Sequence, residues 1–345
     1  MTDAVPGAGQ SRRAVAAWLF LVAALIFLMT VIGGITRLTE SGLSIVDWRP
    51  VTGALPPIGE AAWTAEFEKY RQSPQYRLVN RGMTLDEFKQ IFWWEYVHRL
   101  WGRLIGLAYA LPFAWFLWRG TVPRPYRPHL WAAFALGGLQ GAVGWAMVAS
   151  GLVDRPSVSQ YRLVGHLGLA LVIYVYLLWL ALGLWRGDRA TPADAPGRRA
   201  APWLAGLAFL TILSGGFVAG LDAGMVFNTF PTMDGRWIPE HYGGLTPWWT
   251  DPFENVASVQ FHHRILATLT AGWVLWAAIR LAAGPLPLVR GLAVACAVAV
   301  VAQFSLGVAT LLAQVPVALG AAHQAGAVTL LTLLVALAHA ARRRA

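Results

Sequence analysis

Eight separate runs of about 20 predominantly apolar residues recur along the chain, and each is long enough to cross roughly 30 Å of hydrocarbon as a helix. They span Ala14 to Ile35, Phe92 to Trp118, Leu130 to Leu152, Leu163 to Trp185, Ala201 to Leu221, Val259 to Ile279, Leu292 to Leu312 and Val317 to Ala341. A chain so built is expected to be an all-α integral membrane protein. With 57% hydrophobic and 13% charged residues, the composition agrees. The first run is too long for a signal peptide and lacks a small-residue cleavage site, so it is expected to stay as a helix.

A net charge of +10 raises the question of a nucleic-acid partner, and the distribution of charge excludes it. Arg12, Arg13, Arg119, Arg124, Arg127, Arg186, Arg189, Arg198, Arg199, Arg280, Arg290 and Arg342 to Arg344 fall on alternate connections, opposed there only by Asp3, Asp188 and Asp194, for a net +11. The intervening connections carry a net −1. By the positive-inside rule both termini are cytoplasmic, and the long loops at about 40–90 and 222–258 lie outside. Cys296 is the single cysteine, which leaves neither a disulfide nor a thiolate cluster; it reads as lipid-facing or as packing. A bacterial inner membrane suits such a chain.

The two halves repeat. Gly33-Gly34-Ile35-Thr36-Arg37-Leu38-Thr39-Glu40-Ser41-Gly42 aligns with Gly215-Gly216-Phe217-Val218-Ala219-Gly220-Leu221-Asp222-Ala223-Gly224 through its double Gly, its acid and its last Gly. Glu95-Tyr96-Val97-His98-Arg99 aligns with Gln260-Phe261-His262-His263-Arg264, Gln140 and Gly144 with Gln303 and Gly307, and His166 with His323. Four helices per half is an even number, so the repeat is parallel, about an axis along the membrane normal. The expected organisation is two pseudo-symmetric four-helix bundles, 1–185 and 203–345, joined by a Pro-, Gly- and Arg-containing cytoplasmic linker at 186–202.

Of eight histidines, His129 and His339 fall near cytoplasmic helix ends and His241 in an outer loop, where interfacial or solvated side chains are expected. His98, His166, the His262/His263 pair and His323 fall one or two turns inside helices that all run from outside to inside. They therefore form one layer near the outer face. Polar side chains at membrane depth are usually paired or functional, and obedience to the repeat favours function. Carboxylates and cysteines to close a zinc site are missing. Heme needs only axial ligands, with apolar and small residues around the macrocycle; Gly102, Gly106, Gly165, Gly168, Gly320, Ala322 and Gly326 offer that packing. One heme per half follows, with His98 and His166 as one ligand pair and His263 and His323 as the other.

Consecutive helical residues point about 100° apart, so only one of His262 and His263 faces a heme. The repeated His-Arg dipeptide selects His263, leaving His262 to packing or hydrogen bonding. Arg99 and Arg264 either pair with heme propionates or snorkel to the interface. The halves differ at Glu95, one turn before His98, where the second half has Gln260. A carboxylate beside a heme can move protons or stabilise positive charge and a Gln cannot, so the first half reads as the chemical site and the second as an electron-transfer site. The bland alternative makes Glu95 a structural partner of Arg99 or Arg103.

At these residues the chain resembles the heme A synthase family, in its proteobacterial and mitochondrial form. The stretches that carry the resemblance are Gly33 to Ser44, Glu95 to Arg103 and Asn228 to Pro239, within a likeness running from about Ala16 to Ala338. The resemblance implies a membrane-bound oxidoreductase. Its substrate is heme O, one ring methyl of which is successively hydroxylated to a gem-diol that loses water, giving the formyl group of heme A for cytochrome oxidase. It implies heme b as the cofactor between His263 and His323, the substrate heme between His98 and His166, and Glu95 as the catalytic carboxylate. Heme O synthase, cytochrome oxidase assembly factors and an unidentified electron acceptor are the implied partners, with a homo-oligomer left open. Some relatives carry a cysteine pair in the first outer loop; this chain has none. A quinol-oxidising di-heme b electron-transfer protein would explain the four histidines but not the Glu/Gln asymmetry. A parallel-repeat transporter would need neither paired histidines nor an aromatic-rich cavity.

Overall fold

A computed structural model describes residues 8–49, 52–152, 156–187 and 197–342. Asp3, Asp188, Arg189, Asp194, Arg343 and Arg344 of the charge argument, and most of the 186–202 linker, lie outside the described residues. Apart from one β-bridge between Met233 and Arg236, the regular structure among the described residues is helical.

Eight helices are long and apolar enough to cross a membrane: α1 (Ala8–Leu38), α4 (Leu85–Trp118), α5 (Arg127–Gly151), α6 (Gln160–Arg186), α7 (Ala200–Gly220), α9 (Val256–Ala282), α10 (Pro287–Leu312) and α11 (Val317–Ala341). Each contains one expected run, except that Leu152 and Leu221 lie one residue past the ends of α5 and α7. Helix α4 begins seven residues earlier than its apolar run because Thr84 and Glu87 close a capping box: the Glu87 N–H donates to Thr84 Oγ1 at 3.3 Å and the Thr84 N–H to the Glu87 carboxylate at 2.7 Å. Asn255 starts α9 in the same manner, accepting from the N–H groups of Ala257 and Ser258. The long connection between α1 and α4 folds further than its polarity suggests. It forms α2 (Glu60–Arg71) and α3 (Pro74–Leu78), packed on the start of α4 through Tyr70, Phe88, Phe92 and Tyr96. A short helix, α8 (Asp251–Glu254), precedes α9.

The contacts follow the repeat. Helix α1 packs on α4 and α6 as α7 packs on α9 and α11, and α1 meets α11 as α7 meets α6. The double glycine explains how one helix serves two neighbours. A Cβ at Gly33 would meet the His98 ring, whereas one at Gly34 would overlap the Gln324 amide of α11. Likewise Gly215 faces His263, and Gly216 faces Val164 and Leu167 of α6. Successive glycines thus admit a histidine of the same half and a helix of the other half. At the C-terminal ends of α1 and α7, Arg37 spans both oxygens of Asp222 at 2.8 and 2.9 Å, joining the halves.

One pair of helices breaks the symmetry. Helices α9 and α10 pack along most of their length, while α4 and α5 barely touch. Their contact lies at the end remote from the histidines, where the Tyr109 hydroxyl donates to the Leu130 carbonyl at 2.6 Å and Phe113 meets Trp131 edge to face. Toward the histidine layer Gly106, Gly137, Gly138 and Gly141 are exposed, with no atom within 4 Å of where a Cβ would stand. The repeat places Ala271, Val300, Val301 and Phe304 at the matching positions, with Val300 buried. Val300 packs in the core between the second pair of helices, and the first pair has only glycine at that position.

His339 departs from the expected solvated position. It is fully buried against Trp179, with its backbone carbonyl accepting from Arg186 at 2.9 Å. Its position near a helix end says nothing of the neighbouring helix that covers it. Cys296 is buried among Ala293, Val300 and Leu334, so of the two readings it is packing.

Candidate heme-ligand sites

Each of the four expected imidazoles lies against a glycine of a neighbouring helix. A Cβ at Gly144 would stand 2.9 Å from His166 Cε1, one at Gly215 3.1 Å from His263 Cε1, and one at Gly307 2.6 Å from His323 Cε1. At Gly33 the nearest ring atom is His98 Nε2, 3.3 Å away. A larger residue at these glycines would displace the ring. His98 and His166 lie within electrostatic reach of each other, as do His263 and His323, which is the pairing expected from the repeat.

The second histidine of each pair has the same partner. The Gln140 amide nitrogen lies 3.2 Å from His166 Nδ1 and donates to the His166 carbonyl at 3.1 Å; Gln303 does so to His323 at 3.0 and 2.9 Å. Both glutamines leave Oε1 buried without a partner. Each amide nitrogen thus holds its histidine by the ring and the backbone carbonyl together. The first histidines differ: Ser214 Oγ stands 2.7 Å from His263 Nδ1, and the ring of His98 has no hydrogen-bond partner among the described residues.

Glu95 is buried, and its carboxylate is full. Oε2 accepts from the Ser44 hydroxyl at 2.8 Å and the Ile45 N–H at 2.7 Å, and Oε1 accepts from Arg99 Nε and Nη2 at 3.0 and 2.6 Å. Arg99 also donates to the carbonyls of Ile45 and Asp47. Together Glu95 and Arg99 clamp residues 44–47 onto α4. Gln260 and Arg264 clamp the second outer loop with reversed polarity: the Gln260 amide donates to the carbonyls of Ala223 and Phe227, and Arg264 to those of Phe227, Thr229 and Thr232. Arg264 Nε is buried and keeps no partner. His262 points away from the ligand layer, its Nε2 3.1 Å from the Tyr242 hydroxyl.

A match over nearly the whole chain places these sites in a family. The model of the cytochrome oxidase assembly protein family COX15-CtaA matches residues 16–335. The chain belongs to the COX15-CtaA family. Among its COX15-CtaA relatives, the heme A synthase of Rhodospirillum centenum is 52% identical over 347 residues, covering 98% of this chain and 92% of the relative. That of Nitrosospira multiformis is 48% identical, with 96% and 95% covered, and that of Parvibaculum lavamentivorans 51% identical, with 94% and 93% covered. With eight apolar spans, this COX15-CtaA member is a multi-pass membrane protein.

Sequence reasoning aligned the glycines and glutamines of the sites without giving them a task. Gln140 and Gly144 lie four apart on one helical face, as do Gln303 and Gly307, and that spacing was the available signal. Ser214, Ser44 and Ile45 carried no such signal. Of the small residues expected around a macrocycle, Gly168 meets Leu213, Gly320 meets Leu38 and Gly326 the Gln303 amide, so these serve packing between side chains and helices. Gly102 meets only Met29 Cε at 3.5 Å, Gly106 and Gly165 face open space, and Ala322 is exposed.

Proposed function

We propose that the chain is a heme A synthase that oxidises a ring methyl of heme O to a formyl group. The near full-length likeness to proteins named heme A synthase supports the reading. The observation that carries it further is the pair of glycine-seated histidine sets, only one of which has a carboxylate one turn away. On this reading residues 1–185 form the substrate half with His98 and His166 as axial ligands, 203–345 the heme b half with His263 and His323, and 186–202 the linker.

The gap between α4 and α5 supports that order of halves. A substrate heme must enter and a product must leave, and the first half is the one whose helices stand apart toward the bilayer. The second half is packed at Val300 and covered by the Phe304–Phe230 ring pair, as suits a resident group. The glycine seats fit a heme b there, held by His263 and His323, with the buried Arg264 Nε left over for a carboxylate. Bound heme b supplies one-electron transfer.

Glu95 is the proton acceptor in this reading. Its oxygens are filled, so it takes a proton only when a donor turns away. Ser44 is the donor that can, since its hydroxyl also lies 3.4 Å from the Ile91 carbonyl. Arg99 and the Ile45 N–H keep the carboxylate in place meanwhile. The protein is placed in a bacterial inner membrane with both termini cytoplasmic. Heme O synthase and oxidase assembly factors are its proposed partners.

The test is expression in cells lacking their own enzyme, followed by pigment extraction and mass identification. Heme A in the extract supports the synthase. Heme b alone, from a folded protein, would leave a di-heme electron-transfer protein.

A further inference from the structure

We infer that one repeat position, Ser214 in the second half and Ile32 in the first, decides which histidine pair keeps its heme and which releases it. The inference rests on the assignment of halves just proposed. Its basis is the difference between His263 and His98.

The Ser214 hydroxyl donates to the Thr211 carbonyl at 2.8 Å, and Oγ lies 2.7 Å from His263 Nδ1. A hydroxyl has one proton; while it stays on the Thr211 carbonyl, Ser214 Oγ is the acceptor and His263 Nδ1 carries the hydrogen. In the neutral ring that leaves the Nε2 lone pair exposed, which is the tautomer an iron ligand needs. Such a partner also orients the ring and raises its basicity toward the metal. His263 is prepared before any ligand arrives.

At His98 the same backbone position carries Ile32, which offers no acceptor. The ring lays its Nε2 and Cδ2 edge on Gly33, while His263 sets Cε1 on Gly215 with Nδ1 and Nε2 equally distant at 3.7 Å. No hydrogen bond among the described residues fixes the tautomer of His98. Gln140 and Gln303 hold the other histidine of each pair alike, so they do not distinguish the halves. The difference is confined to one ligand. A heme that arrives and leaves at each turnover requires one axial bond that breaks readily, and His98 supplies it. A resident heme requires both bonds held, and Ser214 supplies the second.

The experiment uses purified full-length protein and follows heme transfer to excess apomyoglobin, together with the low-spin electron paramagnetic resonance signal. Ser214→Ala should release the b-type heme about 10–100-fold faster and shift its signal, and Ser214→Thr should restore both. Ile32→Ser or Ile32→Thr should slow loss of heme O loaded into the first half by about tenfold or more and leave the b-type heme unchanged. Wild-type release and an unshifted signal in Ser214→Ala would overturn the inference, as would unchanged heme O loss from folded Ile32→Ser and Ile32→Thr. The readouts need no turnover. A chain that answers to Ser214 yet makes no heme A loses the enzymatic reading alone.

Discussion

Glu95 and Gln260 occupy the same repeat position and meet opposite hydrogen-bonding demands. Glu95 faces the N–H of Ile45 and the hydroxyl of Ser44, and Gln260 faces the carbonyls of Ala223 and Phe227. The asymmetry is thus written into each outer loop as well as into the helix. Glu95→Gln gives an amide whose NH2 must confront either Ile45 N–H or the Arg99 guanidinium. Heme A production should collapse and heme O accumulate, while the b-type spectrum of the other half remains. Loss of a buried ion pair, of order 3–5 kcal/mol, should also raise proteolysis of the first outer loop. Normal heme A output from this variant would reduce Glu95 to a loop clamp.

The converse substitution tests the same rule in the other half. Gln260→Glu turns acceptor oxygens toward two carbonyls and should destabilise the second outer loop by about 1–3 kcal/mol or more. Thermal release of the b-type heme, followed by its absorbance, should move to lower temperature. An unchanged midpoint would show that the loop rearranges around the new carboxylate.

Ligand substitution separates the halves directly. His263→Ala or His323→Ala should remove the stably bound b-type spectrum, and His98→Ala or His166→Ala should leave it. The reverse result would exchange the halves.

Much of this arrangement was legible in the sequence, since length and hydropathy fix eight spans and the spacing of His98, His166, His263 and His323 fixes their layer. What stayed hidden depends on contacts between segments distant in the chain. Glu95 receives Ser44 and Ile45 from 50 residues away, and nothing local marks either as its partner. The packing of α2 and α3 is hidden for the same reason, because Tyr70 and Phe88 form a core only after the loop folds back onto α4. The splay of α4 and α5 could have been read, by setting Gly137 and Gly141 beside Val300 and Phe304 in the repeat.

Acid should loosen the first outer loop slightly. The Lys69 ammonium, 2.9 Å from Asp47, and the Arg49 guanidinium draw the Asp47 carboxyl below its ordinary 3.8. A folded value below the unfolded one gives stability that is complete above about pH 4 and lost as pH falls through the lower folded value. The Asp47 side chain is 38% exposed, so the effect is well under about 1 kcal/mol. Asp47→Asn should flatten the acid limb of loop proteolysis between about pH 4 and 2, by raising the neutral-pH rate slightly and leaving the rate near pH 2 unchanged.

Orientation follows from charge, and reporter fusions check it. Fusions after Gly120 and Gly197 should read cytoplasmic, and those after Ser73 and Gly244 outside. A reversed reading at either pair would overturn the assignment of the outer face, and with it the depth of the histidine layer.

Filling the gap between α4 and α5 should act on the substrate half alone. His98, Gly102, Gly106 and Tyr109 share one face of α4, and Gly144, Gly141, Gly137 and Leu130 share the facing stripe of α5. The second half carries Ala267, Ala271, Val300 and Phe304 at the positions of the four intermediate glycines and keeps its helices packed. Gly137→Val with Gly141→Phe copies that closure using side chains the repeat already accommodates. Valine and phenylalanine bury apolar area between the helices, worth about 1.5–3 kcal/mol for each side chain fully buried, so thermal stability should hold or rise. Heme O uptake and heme A output should fall steeply, while the b-type spectrum and its His263 and His323 dependence persist. Measured in the same membranes, undiminished heme A output from a stably folded double variant would show that the substrate does not pass between α4 and α5.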